Sequence, residues 1–190
     1  MSPPSGGSFR FLGERIRHMG VFFQLTTGTF LDPNGYTFER EIVRHPGAVC
    51  IVALEGDPVS ILMVRQYRGA LDRLILEIPA GKLDIPDEPI ELAAERELAE
   101  EVGRMSSRLS KLGSFLNSPG FTDELTTCFL AEGLAPIERD VHGIEEEFMT
   151  LVAVPLFDFW RMVRNGEIVD AKTIIAVTFA ERVLSDRAAH

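Results

Sequence analysis

The chain has 190 residues, 45% hydrophobic and 25% charged, with a formal net charge of −10. That length fits one domain, or one domain with a small appendage, and the composition supplies enough Val, Ile, Leu and Phe for a real core. The acidic balance argues against a nucleic-acid backbone or an anionic membrane as the main partner, and an anionic small substrate would need a cation or local arginines to screen it.

Residues 1–8 are rich in Pro, Gly and Ser and read as a disordered tail. Residues 9–44 contain VFFQLTTGTFLDPNGYTFEREIVRH, which alternates polar and apolar around Asn34-Gly35. This pattern predicts a small N-terminal antiparallel sheet. Residues 45–190 hold the remaining elements. AVCIVALE and SILMVRQY, separated by GDPV, read as a buried hairpin, and LILEIPAG reads as a short strand stopped by Pro79 and Gly81. A helix follows from about Glu88. KLGSFLNS, ELTTCFLAEGL and EFMTLVAVP supply three more strands, and LFDFWRMVRNGEI and AKTIIAVTFAERVLSD close the chain as helices.

In the last helix the row Ile175, Phe179 and Val183 at i, i+4, i+8 reads as core-facing rather than as a cofactor box. Cys50 and Cys128 sit in strand-like apolar runs and read as packed thiols, with a disulfide or metal role as the alternative. No apolar run reaches the length of a membrane span, and MSPPSGGSFR lacks a signal-peptide hydrophobic region. A cytoplasmic protein is the simplest expectation. Mixed strands with few helices predict an α+β fold or an α/β sandwich.

The segment AERELAEEVG, residues 94–103, poses a physical problem. Glu97 and Glu101 stand one above the other on a helix, with Glu100 beside them, near the helix C-terminus. Like charges at that spacing repel, and the helix dipole disfavours anions at that end. Arg96 and Glu100 are spaced to pair, whereas Ala93 and Met105 flank the Glu97–Glu101 row. Two carboxylates on one ridge suit a hard divalent cation, which would turn repulsion into coordination. The plain alternative is a solvated acidic face.

Residues 81–104, GKLDIPDEPIELAAERELAEEVGR, resemble the Nudix box, G-x5-E-x7-R-E-U-x-E-E-x-G-U with U a bulky aliphatic residue. Arg96, Glu97, Leu98, Glu100, Glu101 and Gly103 match in register, and Glu88 lies eight positions before Arg96. Two departures stand out. Gly81 is one position too far from Glu88, which leaves Asp87 in the place of the strict glutamate. Arg104 occupies the last aliphatic position with Met105 behind it, so the apolar anchor is expected to shift. EIPAGK, SPGFTDE with Pro119, FEREIVRHPGAV, VRQYRGA and GEIVDAKTIIAV resemble the ADP-ribose pyrophosphatase branch.

The resemblance implies an α+β fold of Nudix type: an α/β/α sandwich with a mixed sheet, plus the small N-terminal antiparallel sheet. It implies Mg²⁺-dependent hydrolysis of the pyrophosphate of ADP-ribose to AMP and ribose 5-phosphate, with Mn²⁺ as a substitute ion. The metal would be held by Glu97, Glu101 and the carbonyl of Ala80. Glu100 would bind a second ion or orient water, or simply pair with Arg96. Arg96 and Glu88 would orient the ligands.

The general base is expected in HGIEEEFMTL, with Glu147 first and Glu145 second, or in neither if this is only a solvated loop; His142 reads as a loop residue. Arg68 and Arg40 are the candidate diphosphate contacts, or surface ion-pair partners instead, and Leu83 and Ser118 would line the site. Members of this branch exchange their N-terminal sheets, which implies a homodimer with adenine near its interface. Phe23 and Phe30 would serve either stacking or core packing. The alternatives are another nucleoside diphosphate sugar, such as GDP-mannose or ADP-glucose, and a binding module that senses ADP-ribose without cleaving it.

Overall fold

A computed structural model describes residues 7–139 and 147–189. The first six residues of the expected tail, together with His142, Glu145 and Glu146, lie outside the described residues. The chain divides into two compact units, residues 1–47 with 116–124, and residues 48–115 with 125–190.

In the first unit β1 (Arg10–Met19), β2 (Gln24–Leu31) and β3 (Thr37–Arg44) form an antiparallel meander. The β2–β3 turn is set by Asp32, whose Oδ1 accepts the N–H groups of Asn34 at 2.8 Å and Tyr36 at 2.9 Å. Gly35 has φ of 89°, a conformation that costs glycine nothing. Phe30 stacks on Phe38 and tilts against Phe11, each pair with ring centroids 5.4 Å apart. Segment 116–124 runs beside the end of β3, where Val43 N–H donates to Phe121 carbonyl at 2.8 Å. Arg44 adds ion pairs to Glu14 at 2.7 Å and Asp123 at 3.0 Å.

The second unit is built on a seven-stranded mixed sheet. Its strands are β4 (Ala48–Glu55), β5 (Ser60–Arg68), β6 (Arg73–Glu77), β7 (Ala80–Lys82), β8 (Arg104–Leu116), β9 (Leu125–Pro136) and β10 (Thr150–Pro155). The main order is β10-β5-β4-β9-β8. β4 and β9 are parallel, with Ala48 opposite Thr126 through Ala53 opposite Ala131. β4 and β5 pair only from Ala53 to Glu55, antiparallel. Below that point residues 73–82 run between them, β6 pairing with β5 and β7 with β4. Pro79 marks the changeover. It has no N–H to give to a ladder, and its carbonyl accepts Ile51 N–H at 2.9 Å.

Alternation along β4 makes the sandwich. Cys50 and Val52 face one layer with Phe159, Ala176, Val177 and Ala180; Val49, Ile51 and Ala53 face the other with Ala93, Ala94, Leu98 and Val102. A strand covered on both faces reads as a continuous apolar run, as AVCIVAL does. Helix α1 (Ile90–Glu97) therefore lies on one face, and α2 (Phe159–Arg164) and α3 (Ala171–Ala188) lie on the other. The fully buried row of α3 is Thr173, Ala176, Val177 and Ala180. Phe179 and Val183 of the expected row pack at its margin, because the small side chains let α3 approach the sheet closely. Cys50 and Cys128 are opposite one another in the parallel pair, both free and buried. Contact with Cys128, together with burial, holds the Cys50 thiol well above its usual value, so it stays protonated.

A polar cluster fastens the inserted strand to α3. Asp170 caps the helix by accepting Thr173 N–H at 2.9 Å, and Thr173 Oγ1 accepts Ile78 N–H at 3.0 Å. Glu77, 1% exposed, accepts Nε and Nη2 of Arg68 at 2.6 and 2.8 Å, and pairs with Lys172. Burial pushes the Glu77 carboxyl up, but the Arg68 hydrogen bonds and the Lys172 charge outweigh it, and the net position is below normal. A carboxyl lowered in the fold stabilises it above the ordinary value of 4.5, and that contribution is lost as pH falls through the folded value. Unfolding free energy should therefore decline below about pH 4.5, and Glu77→Gln should make that acid slope shallower in denaturant titrations across pH.

Candidate active site

The carboxylates of the 94–103 segment converge on the inserted strand. Pro89 occupies the N-cap position of α1, and its fixed φ suits the start of a helix. The helix does not keep its pitch. After Glu97 it widens into a π turn, Leu98–Val102, where Gly103 N–H reaches both the Leu98 and Ala99 carbonyls. Gly103 then ends the helix in a left-handed conformation, φ 64° and ψ 42°. Wide turns of this kind are rare and favour functional positions.

Glu97 and Glu101 are 7% and 4% exposed, so the acidic ridge is not a solvated face. Glu101 Oε2 accepts Ala80 N–H at 2.9 Å. Glu97 lies directly over Gly81: a β-carbon there would fall 1.8 Å from its Cδ. Glycine is thus the residue that lets the carboxylate reach the strand. Arg96 bridges the group. Its Nε and Nη2 donate to the two Glu88 oxygens, each at 3.1 Å, and its Nη1 donates to Glu97 at 2.8 Å and Glu100 at 3.1 Å. These anions, Glu88 foremost, raise the Arg96 guanidinium further above its already high value. The pairing of Arg96 with its neighbour Glu97 was not legible from i±4 spacing. It depends on the forked guanidinium spanning two carboxylates at once.

Both departures from the box have physical outcomes. The extra residue is absorbed before Glu88, with Asp87 in a left-handed conformation at φ 61°, so Glu88 and not Asp87 meets Arg96. Arg104 replaces the apolar anchor with an ion pair, its Nε and Nη2 reaching Glu55 at 2.8 and 3.1 Å. The expected shift of the anchor to Met105 does not occur. That side chain is 58% exposed, since it points to the other side of β8. Beyond the helix end, Arg139 Nε donates to the Glu100 carbonyl at 3.4 Å, where a cation suits the helix dipole. Arg139 carried no sequence signal.

The other candidate residues fall as follows. Arg68 is tied to Glu77 by two of its nitrogens, and Glu101 is among the charges acting on it. Leu83 packs against the core layer beneath α1. Glu147 is exposed, directly before the segment leading into β10. In the first unit Arg40 is exposed on β3, its guanidinium 4.7 Å over the Phe38 ring and donating to the Glu39 carbonyl at 2.7 Å. The Ser118 carbonyl accepts Phe121 N–H at 3.1 Å and Thr122 N–H at 3.0 Å. Phe23 lies against Phe22, and Phe30 belongs to the aromatic row of the sheet.

Among the described residues no three His, Cys, Asp or Glu side chains gather around one point as a complete metal cage. The donor set is one of hard carboxylate oxygens beside a half-buried backbone strand. That suits Mg²⁺, which characteristically takes one or two carboxylates, keeps several waters and binds substrate phosphates. No helix among the described residues is long and apolar enough to cross a membrane.

Comparison with known proteins agrees with this arrangement. The ADP-ribose pyrophosphatase of Bacillus subtilis (strain 168) is 45% identical over 149 residues, covering 78% of this chain and 80% of that protein. The methanol dehydrogenase activator of Bacillus methanolicus is 42% identical over the same length, with the same coverage. The ADP-ribose pyrophosphatase of Mycobacterium tuberculosis is 40% identical over 169 residues, covering 89% and 81%. The crystal structure of an ADP compounds hydrolase superposes with a TM-score of 0.83 at 22% identity, covering 97% of this chain and 98% of that one, which establishes the shared fold. The NUDIX domain model matches residues 43–175, a span that holds the acidic helix, the inserted strand and the start of α3, and the chain belongs to the Nudix family.

Proposed function

We propose that this chain is a Mg²⁺-dependent ADP-ribose diphosphatase releasing AMP and ribose 5-phosphate. The observation that carries the reading is the convergence of Glu97 and Glu101 on Ala80–Gly81, in a chain 40–45% identical to two ADP-ribose pyrophosphatases. Glu97, Glu101 and the Ala80 carbonyl would hold the ion, and Glu100 a second one. When bound, the metal supplies neutralisation of phosphate charge and a lowered pKa for water.

The protein groups have separate tasks. Arg96 and Glu88 keep the carboxylates oriented. Arg68 would grip phosphate oxygens, joined by Arg40, and Leu83 and Ser118 would line the substrate's path. A carboxylate at Glu147, or else Glu145, would take the proton from the attacking water. Release of AMP from ADP-ribose with Mg²⁺ tests the reaction, and a panel including GDP-mannose and ADP-glucose tests the substrate. A second reading follows from the methanol dehydrogenase activator: adding the chain to a methanol dehydrogenase and following its rate separates that role from hydrolysis alone.

Glu97→Gln and Glu101→Gln should each remove most AMP release while leaving the thermal midpoint equal or slightly higher, because helix repulsion is relieved. Wild-type turnover of both variants at saturating Mg²⁺ would refute this ridge as the metal site.

Glu147→Gln should lower kcat by about 10²–10⁴ with KM little changed. A loss that follows Glu145→Gln instead transfers the role of base to Glu145.

We further infer a cytoplasmic homodimer joined through the N-terminal sheet, on which Phe9, Phe11, Ile16 and Met19 are exposed. Light scattering should give twice the chain mass. A chain truncated before about Arg40 should be a poorly active monomer, and a fully active monomer would overturn the shared-site arrangement.

A further inference from the structure

The DAKT sequence, Asp170–Thr173, starts α3 on the sheet face opposite α1, yet it touches the inserted strand at two places. Thr173, fully buried, accepts the N–H of Ile78, two residues before Ala80. Lys172 spans Asp170 at 3.0 Å and Glu77, and Glu77 in turn holds Nε and Nη2 of Arg68. The chain of contacts therefore runs from α3 through a buried carboxylate to the guanidinium, and it leaves Nη1 of Arg68 outside the pair with Glu77.

Charge explains why a lysine is needed behind the arginine. Arg68, Lys172, Glu77 and Asp170 carry two positive and two negative charges, a neutral quartet. Without Lys172 it becomes net negative, which opposes a diphosphate. The Oε2 oxygen of a 1% exposed carboxylate would also lose one of the two cations it meets, and Arg68 would be left to balance Glu77 alone. An arginine drawn fully onto Glu77 is a poorer donor to anything else. Asp170 is fixed in its place because Thr173 N–H and Oγ1 both donate to it, at 2.9 and 2.6 Å.

We propose that Lys172 is a positioning residue for substrate: acting through Glu77, it sets the orientation and available charge of the Arg68 guanidinium that grips the diphosphate. This rests on the reading of the chain as an ADP-ribose hydrolase with Arg68 on the phosphates.

The test compares Lys172→Met, Lys172→Arg, Arg68→Ala and the double variant Arg68→Ala/Lys172→Met, measuring kcat, KM and thermal midpoint with ADP-ribose and Mg²⁺. Lys172→Met should raise KM about tenfold with kcat within about threefold, Lys172→Arg should restore KM, and the double variant should be no worse than Arg68→Ala. Loss of kcat at constant KM, or multiplicative KM effects in the double variant, would overturn the positioning role. Arg68→Ala with a normal KM would overturn the placing of Arg68 on the phosphates, and a wild-type chain that releases no AMP would overturn the hydrolase reading; both results are distinguishable from failure of Lys172 alone. If Lys172→Met does not fold, Lys172→Gln serves. Its affinity for a non-hydrolysable methylene analogue of ADP-ribose should fall about tenfold, and unchanged affinity would sink the proposal.

Discussion

One guanidinium holds the acidic helix together. Arg96 meets Glu88, Glu97 and Glu100 at once, in a stretch where Glu101 adds a fourth carboxylate. Two unit charges 4 Å apart interact by about 4 kcal/mol at a near-surface effective dielectric, so unbalanced repulsion here would be felt across the whole unit. Arg96 neutralises one charge and the Ala80 N–H solvates another. The remaining negative potential is what a divalent cation would meet. Helix propensity alone would never favour this arrangement. It is stable because the helix is clamped by its apolar face, where Ala94, Leu98 and Val102 are buried against the sheet.

The sheet makes the complementary surface by being locally incomplete. β4 and β5 part after three residue pairs, and residues 73–82 fill the gap with a strand that changes partner at Pro79. That change brings Ala80 and Gly81 under the helix, where a glycine's missing side chain leaves room for Glu97. The same strand carries Glu77 and Ile78 toward α3 on the opposite layer. Elements of both faces are thus tied to one short segment.

Much of this was legible in the sequence, and the exceptions share a cause. The box residues Glu97, Glu100 and Glu101, the Asn34-Gly35 turn and the continuous apolar run of β4 are local signals, and each appears where spacing placed it. The π turn escaped because periodic reading assumes one pitch along a helix. The Arg104–Glu55 pair and the Lys172–Glu77 pair join residues far apart in the chain, and no local pattern encodes which acid a given base will meet. The margin position of Phe179 depended on how closely α3 approaches, which its run of small residues sets only after packing.

The parallel pairing of β4 with β9 also constrains the order in which the chain can assemble. The β1–β3 meander can pair its strands as soon as residue 44 has emerged from the ribosome, since its ladders join neighbours in the chain and its contacts with segment 116–124 can follow later. β4 cannot: Val49 waits for Thr127 and Val52 for Leu130, while the layer beneath waits for Ala176 and Val177 of the last helix. Contacts of such long range close slowly. Until they form, the most apolar strand of the protein stays uncovered, and nascent-chain protection matters most between its synthesis and that of α3.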